Sequence, residues 1–188
     1  GNIELLQDAL NRFEALGDLA GVAKATGNMG LFLSGLRDHQ SAVPLLEKAI
    51  ASYRALHDRF HLVHALAAYA QGQQPLGHPA AGRAAIVEAL GLVDEADNSL
   101  ATAVVLEIFS GLESAQGQHE RAVRLFESGR EIQRMLEGGL QPGGTDVVGV
   151  DVLSKARQAI GDEAVDRALA VGRSMTRMES VHYAAESE

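Results

Sequence analysis

Along residues 41–58, SAVPLLEKAIASYRALHD, the apolar positions fall at steps of three and four. Ala42, Leu46, Ala49, Ile50 and Tyr53 therefore gather on one face of a 3.6-residue period, which predicts a single helix. The same pattern returns when the frame is shifted by forty residues. Leu6, Leu46, Ile86 and Phe126 align as a large apolar position, and Ala9, Ala49, Ala89 and Gly129 as a small one. Asn2, Ala42, Gly82 and Ala122 form a second position that is small in all but the first copy. Leu10, Ile50 and Leu90 form a second large one, which fails only at Arg130. Self-similarity at a fixed period of this length is the signature of a repeat protein.

Asp18, Asp58 and Asn98 recur at the repeat spacing, each just before an apolar-periodic run. There a side-chain oxygen can accept an otherwise unpaired helix N–H, so all three predict N-caps. The helices they open cover residues 19–34, 59–73 and 99–115. Breakers follow at 35–38, 75–78 and 117–118, and the second helix of each pair covers 39–56, 79–95 and 119–137. Pro44 lies inside the first of these and removes the bond to Gln40, so a late start near Ser41 or a kink is expected. Residues 2–16, ended by Gly17, take the place of a second helix whose first helix is absent. The apolar face of this leading helix is expected to want a partner, either an upstream repeat or a second copy of the chain.

Residues 138–149 break the pattern with glycines and Pro142, which predicts a flexible loop. No Lys-Ser or Lys-Thr follows these glycines, so they do not read as a phosphate cradle. Three short helices are expected after it, over 150–160, over 162–171, and from Thr176, where Glu179 completes a capping box. Val152, Ala156, Ile160, Val165, Leu169 and Met175 are the expected core of this C-terminal cap. The expected organisation is thus repeats over 2–137, the loop over 138–149, and a cap over 150–187. The expected fold is all-α, helical hairpins stacked into a right-handed superhelix.

Composition sharpens this picture. Hydrophobic residues make up 46% and charged residues 22% of the 188, an ordinary globular mix, and the scarcity of aromatic and β-branched alternation argues against sheet. The net charge of −9 without a Lys/Arg cluster argues against nucleic-acid binding. The absence of cysteine removes disulfides and zinc–thiolate sites. No apolar run approaches the roughly 20 residues that cross a bilayer, and a cytoplasmic location is the expectation. The chain opens at Gly1 without Met, so further sequence upstream is expected.

Candidate chemistry is sparse. His57, His61 and His64 sit at helical spacing, but Asp58 as an N-cap leaves His57 outside the helix, so the three read as surface or groove histidines and no metal is expected. Glu47, Glu88 and Glu127 recur on what the pattern makes exposed faces, where solvated carboxylates are expected rather than acid–base pairs. No nucleophile–base pairing is evident and no cofactor is implied, so no enzyme is expected. The forty-residue pattern at Ala42, Leu46 and Ala49 resembles tetratricopeptide-type repeats, and the resemblance implies that the first helices line a concave face. That face presents Lys24, Asn28, Leu31, His64, Gln71, Gln74, Glu107 and Ser114, read either as a solvated surface or as a groove for a peptide or small ligand.

The small-xxx-large-xx-Ala pattern at Ala42, Leu46 and Ala49 and its copies resembles the second helix of tetratricopeptide-type repeats. The early aromatic of that family's first helix is replaced here by Thr26, Leu66 and Leu106, and the period is longer. The tail, residues 156–184, is similar to the C-terminal end of the helical-repeat region in large bacterial signal-transduction ATPases. These include LuxR-type transcriptional regulators and related cyclase-linked proteins of actinobacteria. Ala156, Arg157, Ile160, Gly161, Val165, Gly172, Arg173, Met175, Thr176 and Glu179 match, with Ser180 in the place of an Ala. Residues 121–136 resemble a helix of the same family. The resemblance implies an upstream nucleotide-binding switch module and, in many members, a downstream helix-turn-helix domain. It also implies that this chain is a sensor arm binding a protein or small-molecule inducer. The alternative is a free-standing scaffold for protein partners. A homodimer through the leading helix is expected of a truncated array.

Overall fold

The computed structural model describes residues 1–93, 99–136 and 147–186. Among them are ten helices and no strand: α1 (Asn2–Leu16), α2 (Leu19–Gly35), α3 (His39–Ala55), α4 (Arg59–Gln73), α5 (Pro79–Leu92), α6 (Ser99–Ala115), α7 (His119–Leu136), α8 (Val147–Ile160), α9 (Asp162–Ser174) and α10 (Arg177–Ala185). They fall into two compact units, Gly1–Leu92 and Val93–Glu188. Among the described residues no helix is long and apolar enough to cross a membrane.

The corners between helices repeat every twenty residues. Gly17, Arg37, His57, Gly77 and Gly117 are all left-handed, with φ between 55° and 83°. The N–H of the next residue then reaches the carbonyl five positions back. The pairs are Asp18 to Phe13, Asp38 to Leu33 and Asp58 to Tyr53 at 3.0 Å, and His78 to Gln73 and Gln118 to Glu113 at 2.9 Å. This is the Schellman closure of a helix end. Asp18, Asp38 and Asp58 turn round and accept from the N–H groups of Gly21, Ser41 and His61 at 2.9, 3.2 and 3.2 Å. One residue therefore closes one helix and opens the next. Asp38, expected only as part of a breaker, is thus a third cap, whereas Asn98 lies outside the described residues.

That third cap corrects the expected start of α3. The helix begins at His39, because Asp38 anchors its first turn upstream of Pro44, and it runs unbroken to Ala55. The carbonyl that Pro44 cannot serve belongs to Gln40, an exposed residue.

In the first unit α2 packs on α3, α3 on α4, and α4 on α5, with α2 and α4 also in contact. Leu46, Ala49, Ile86 and Ala89 are fully buried, as the forty-residue pattern requires. Close approach explains the small positions. A Cβ on Gly82 would stand 3.0 Å from the Ala70 carbonyl oxygen, and one on Gly129 in the second unit 3.1 Å from that of Ala103. The leading helix α1 packs on α2 and buries no residue completely. Leu6 and Leu10 are half-buried, while Ile3 and Leu5 are exposed.

In the second unit α8, α9 and α10 pack on α7. Ala122, Val123 and Phe126 of α7 share one core with Val152, Ala156, Val165 and Ala168, and Leu153, Ile160 and Leu169 edge it. Met175 is instead half-buried in the extended residue that follows α9. Two boundaries differ from the sequence expectation. Val147–Gly149, expected in the loop, are the first turn of α8, and residues 138–146 lie outside the described ones. Gly172, expected to end its helix, lies inside α9, where a Cβ would stand 2.5 Å from the carbonyl oxygen of Arg124. Its role is to let α9 lie against the backbone of α7.

Charges also hold this unit together. Arg121, buried on α7, stands 3.3 Å from the buried Glu113 of α6, and its Nη2 donates to the carbonyls of Tyr183, Ala184 and Glu186 at 3.0, 3.0 and 2.8 Å. The C-terminal end of α10 is thereby held by a cation, as its dipole favours. Glu127, expected on an exposed face, is only 2% exposed, and its Oε1 accepts from Nε and Nη2 of Arg173 at 3.0 and 2.8 Å. The period misplaced it because α9 lies against that side of α7, with Gly172 and Arg173 on Glu127.

Candidate functional site

Two surfaces of the first unit stand out, one an exposed helix face and one a groove. The first is the face of α2 and α4 that the repeat phase singles out. Lys24, Asn28 and Leu31 form an exposed stripe along α2 at spacings of four and three. Gln71 of α4 is exposed as well, and Ser34 Oγ donates to its Oε1 at 3.4 Å, tying the two helices side by side. His64, one turn from the start of α4, is half-buried with its ring edge-on to Phe60 at 4.8 Å. Burial lowers its pKa, and the neighbouring His61 adds to the effect. Gln74 follows α4 directly, and its Oε1 is buried without a hydrogen-bond partner among the described residues.

Glu107 and Ser114 belong to α6 in the second unit and are therefore separate from this stripe. Glu107 is half-buried, but Ser114 is only 4% exposed, so its side chain does not line an open face. Ser114 Oγ, like Gln74 Oε1 forty residues earlier, has no partner among the described residues.

The histidines do not converge. His57 is the left-handed corner residue. His61 Nδ1 is 2.7 Å from Asp58 Oδ2 and its ring stacks on Tyr53 at 5.3 Å, an arrangement that braces the start of α4. Among the described residues no cluster of His, Asp and Glu could hold a metal ion.

The second surface is one the repeat pattern did not point to. α3 and α5 both pack on α4, and between them runs a groove with a cavity of about 380 Å³. Ile50, Leu66, Ala84 and Ala85 give it an apolar floor, and the Arg54–Glu88 pair crosses one end. That pair is two-pronged, Nε to Oε1 at 2.9 Å and Nη2 to Oε2 at 2.6 Å. Glu47 and Tyr69 form the lip, and they also line an adjoining cavity of about 430 Å³ beside Gln40, Pro44 and His78. The Tyr69 pKa is raised by burial first, then by the charge of Glu47 and a hydrogen bond to it. Neither Glu47–Tyr69 nor Arg54–Glu88 recurs at forty residues, so self-similarity carried no signal for this groove.

The tetratricopeptide repeat family matches residues 22–62, which span most of α2, all of α3 and the first turn of α4. No curated protein and no solved structure matches the chain. Together with the helix-pair stacking of the first unit, the match makes residues 22–62 a tetratricopeptide-like region.

Proposed function

We propose that this chain is a non-catalytic interaction arm that binds a protein or small-molecule inducer through the α2/α4 face, as part of a multidomain bacterial transcriptional regulator or signalling ATPase. The observation that carries the binding role is the exposed stripe Lys24–Asn28–Leu31 beside Gln71, on a tetratricopeptide-like region. A cation, an amide and an apolar side chain in one row suit a mixed polar and apolar ligand. His64 extends the row on the α4 side, and Gln74 follows that helix directly; Glu107 and Ser114, on α6 of the second unit, are not part of it.

The regulatory context rests on the tail. Gly172 and Arg173, which carry the resemblance to LuxR-type regulators, have defined work here: close approach to α7 and pairing with Glu127. In this reading the parent chain supplies an upstream nucleotide-binding module and a downstream DNA-binding domain, and the arm holds the switch inactive until its inducer binds. A free-standing scaffold for protein partners is the second reading, favoured by the repeat match alone.

Sequencing the gene through both ends of this chain separates the two. A phosphate-binding loop upstream and a helix-turn-helix downstream support the regulator. A start codon before Asn2 and a stop after Glu188 support the scaffold. In a parent regulator, Lys24→Glu with Asn28→Arg should abolish induction while leaving nucleotide binding intact. Unchanged induction would remove the α2/α4 face from consideration.

A further inference from the structure

The groove between α3 and α5 holds two carboxylates in different states. Glu88 is neutralised by the two-pronged contact of Arg54. Glu47 lines the groove beside Tyr69 and makes no ion pair among the described residues. Its sequence neighbour Lys48 leaves the helix about 100° away, so the two side chains do not face each other. Glu47 is therefore an uncompensated negative charge at the rim of an apolar trough.

We propose that this groove receives an arginine side chain carried by a partner protein, with the guanidinium against Glu47 and Tyr69 and the aliphatic stem along Ile50, Leu66 and Ala85. Each part of that side chain meets its chemical counterpart. The planar guanidinium pairs with a carboxylate and stacks on an aromatic ring, which a lysine ammonium does less well. The three-carbon stem covers apolar surface while the head stays at the lip. A cavity of about 380 Å³ has room for such a side chain. A net charge of −9 steers a basic segment toward the protein and turns an acidic one away. This site is distinct from the α2/α4 face and does not depend on it.

The test uses the full chain, isotope-labelled for amide NMR, titrated with the capped peptide Ala-Leu-Arg-Leu-Ala and with the same peptide carrying neutral citrulline in place of arginine. The arginine peptide should shift the resonances of Glu47, Tyr69, Ala81 and Ala85, and the citrulline peptide should bind at least ten-fold more weakly. Glu47→Gln should cost the arginine peptide a similar factor, whereas Glu14→Gln, which removes an equal charge from an exposed position of α1, should not. Equal binding of the two peptides overturns the proposal, as does an equal loss in both variants, which would mean charge attraction without a site. Shifts confined to Lys24, Asn28 and Leu31 also overturn it, while favouring the α2/α4 face. No shift at millimolar peptide overturns it as well.

Discussion

Arg121 and Glu113 face each other at 3.3 Å inside the second unit, each at most 5% exposed, and the same guanidinium holds the last carbonyls of α10. Removing one partner of a buried pair strands the other charge, which costs about 3–5 kcal/mol. Arg121→Met should therefore lower the free energy of unfolding, read from urea titration, by that amount. It should also speed amide exchange in α10 more than in α2. Uniform exchange rates would mean that α10 is held by its packing on α6 and α7 alone.

Arg37 and His57 occupy left-handed corners that glycine fills at Gly17, Gly77 and Gly117. A side chain there costs roughly 1 kcal/mol relative to glycine. Arg37→Gly should raise the thermal midpoint and Gly77→Ala should lower it, read by circular dichroism. The opposite pair of signs would show that the side chains at these corners contribute more than the backbone strain they impose.

Ala49 is fully buried on α3 and lies at the small position of the forty-residue pattern. Ala49→Leu should overpack the first unit at a cost of about 1–3 kcal/mol. The equivalent change at an exposed helical position, Ala51→Leu, should be near neutral. Equal effects in denaturant titrations would mean that the small position is not set by packing.

His64 is half-buried with its pKa lowered from the ordinary value of 6.5. Below that value the unfolded chain takes up a proton that the folded one resists, so stability is full above about pH 6.5 and falls as the pH drops toward the folded pKa. His64→Leu should flatten this part of the stability profile relative to the parent chain. An unchanged difference in midpoint between pH 7 and pH 5 would show that other groups carry the dependence.

The fold was largely legible because its period is imposed by packing. Leu46, Ile86 and Phe126 are buried at matching places on successive second helices, and the pattern announces them. The corners were half legible. A capping Asp at positions 18 and 58 is seen at forty residues, but Asp38 sits half a repeat away, between the two helices of one pair, and emerges only when the period is read as twenty. What the sequence concealed arises from pairs that do not repeat. Glu127 looks like Glu47 in the frame, yet Arg173 arrives from α9 to bury it. Of the expected ligand face, Lys24, Asn28, Leu31 and Gln71 lie on exposed helix surface, whereas Ser114 does not. Helical phase fixes which way a residue faces but not how deep later elements leave it.

The double duty of the corner residues makes the chain a tape ruled in interchangeable lengths. Excising residues 18–57 would join Gly17 directly to Asp58, which again sets a left-handed residue before a capping carboxylate. The helix before the splice, α1, carries Leu6 and Ala9 where the removed α3 carried Leu46 and Ala49. Whole units can thus be lost or copied in the gene without inventing a new turn, whereas a single residue added at a corner would undo one helix's stop and the next one's start together.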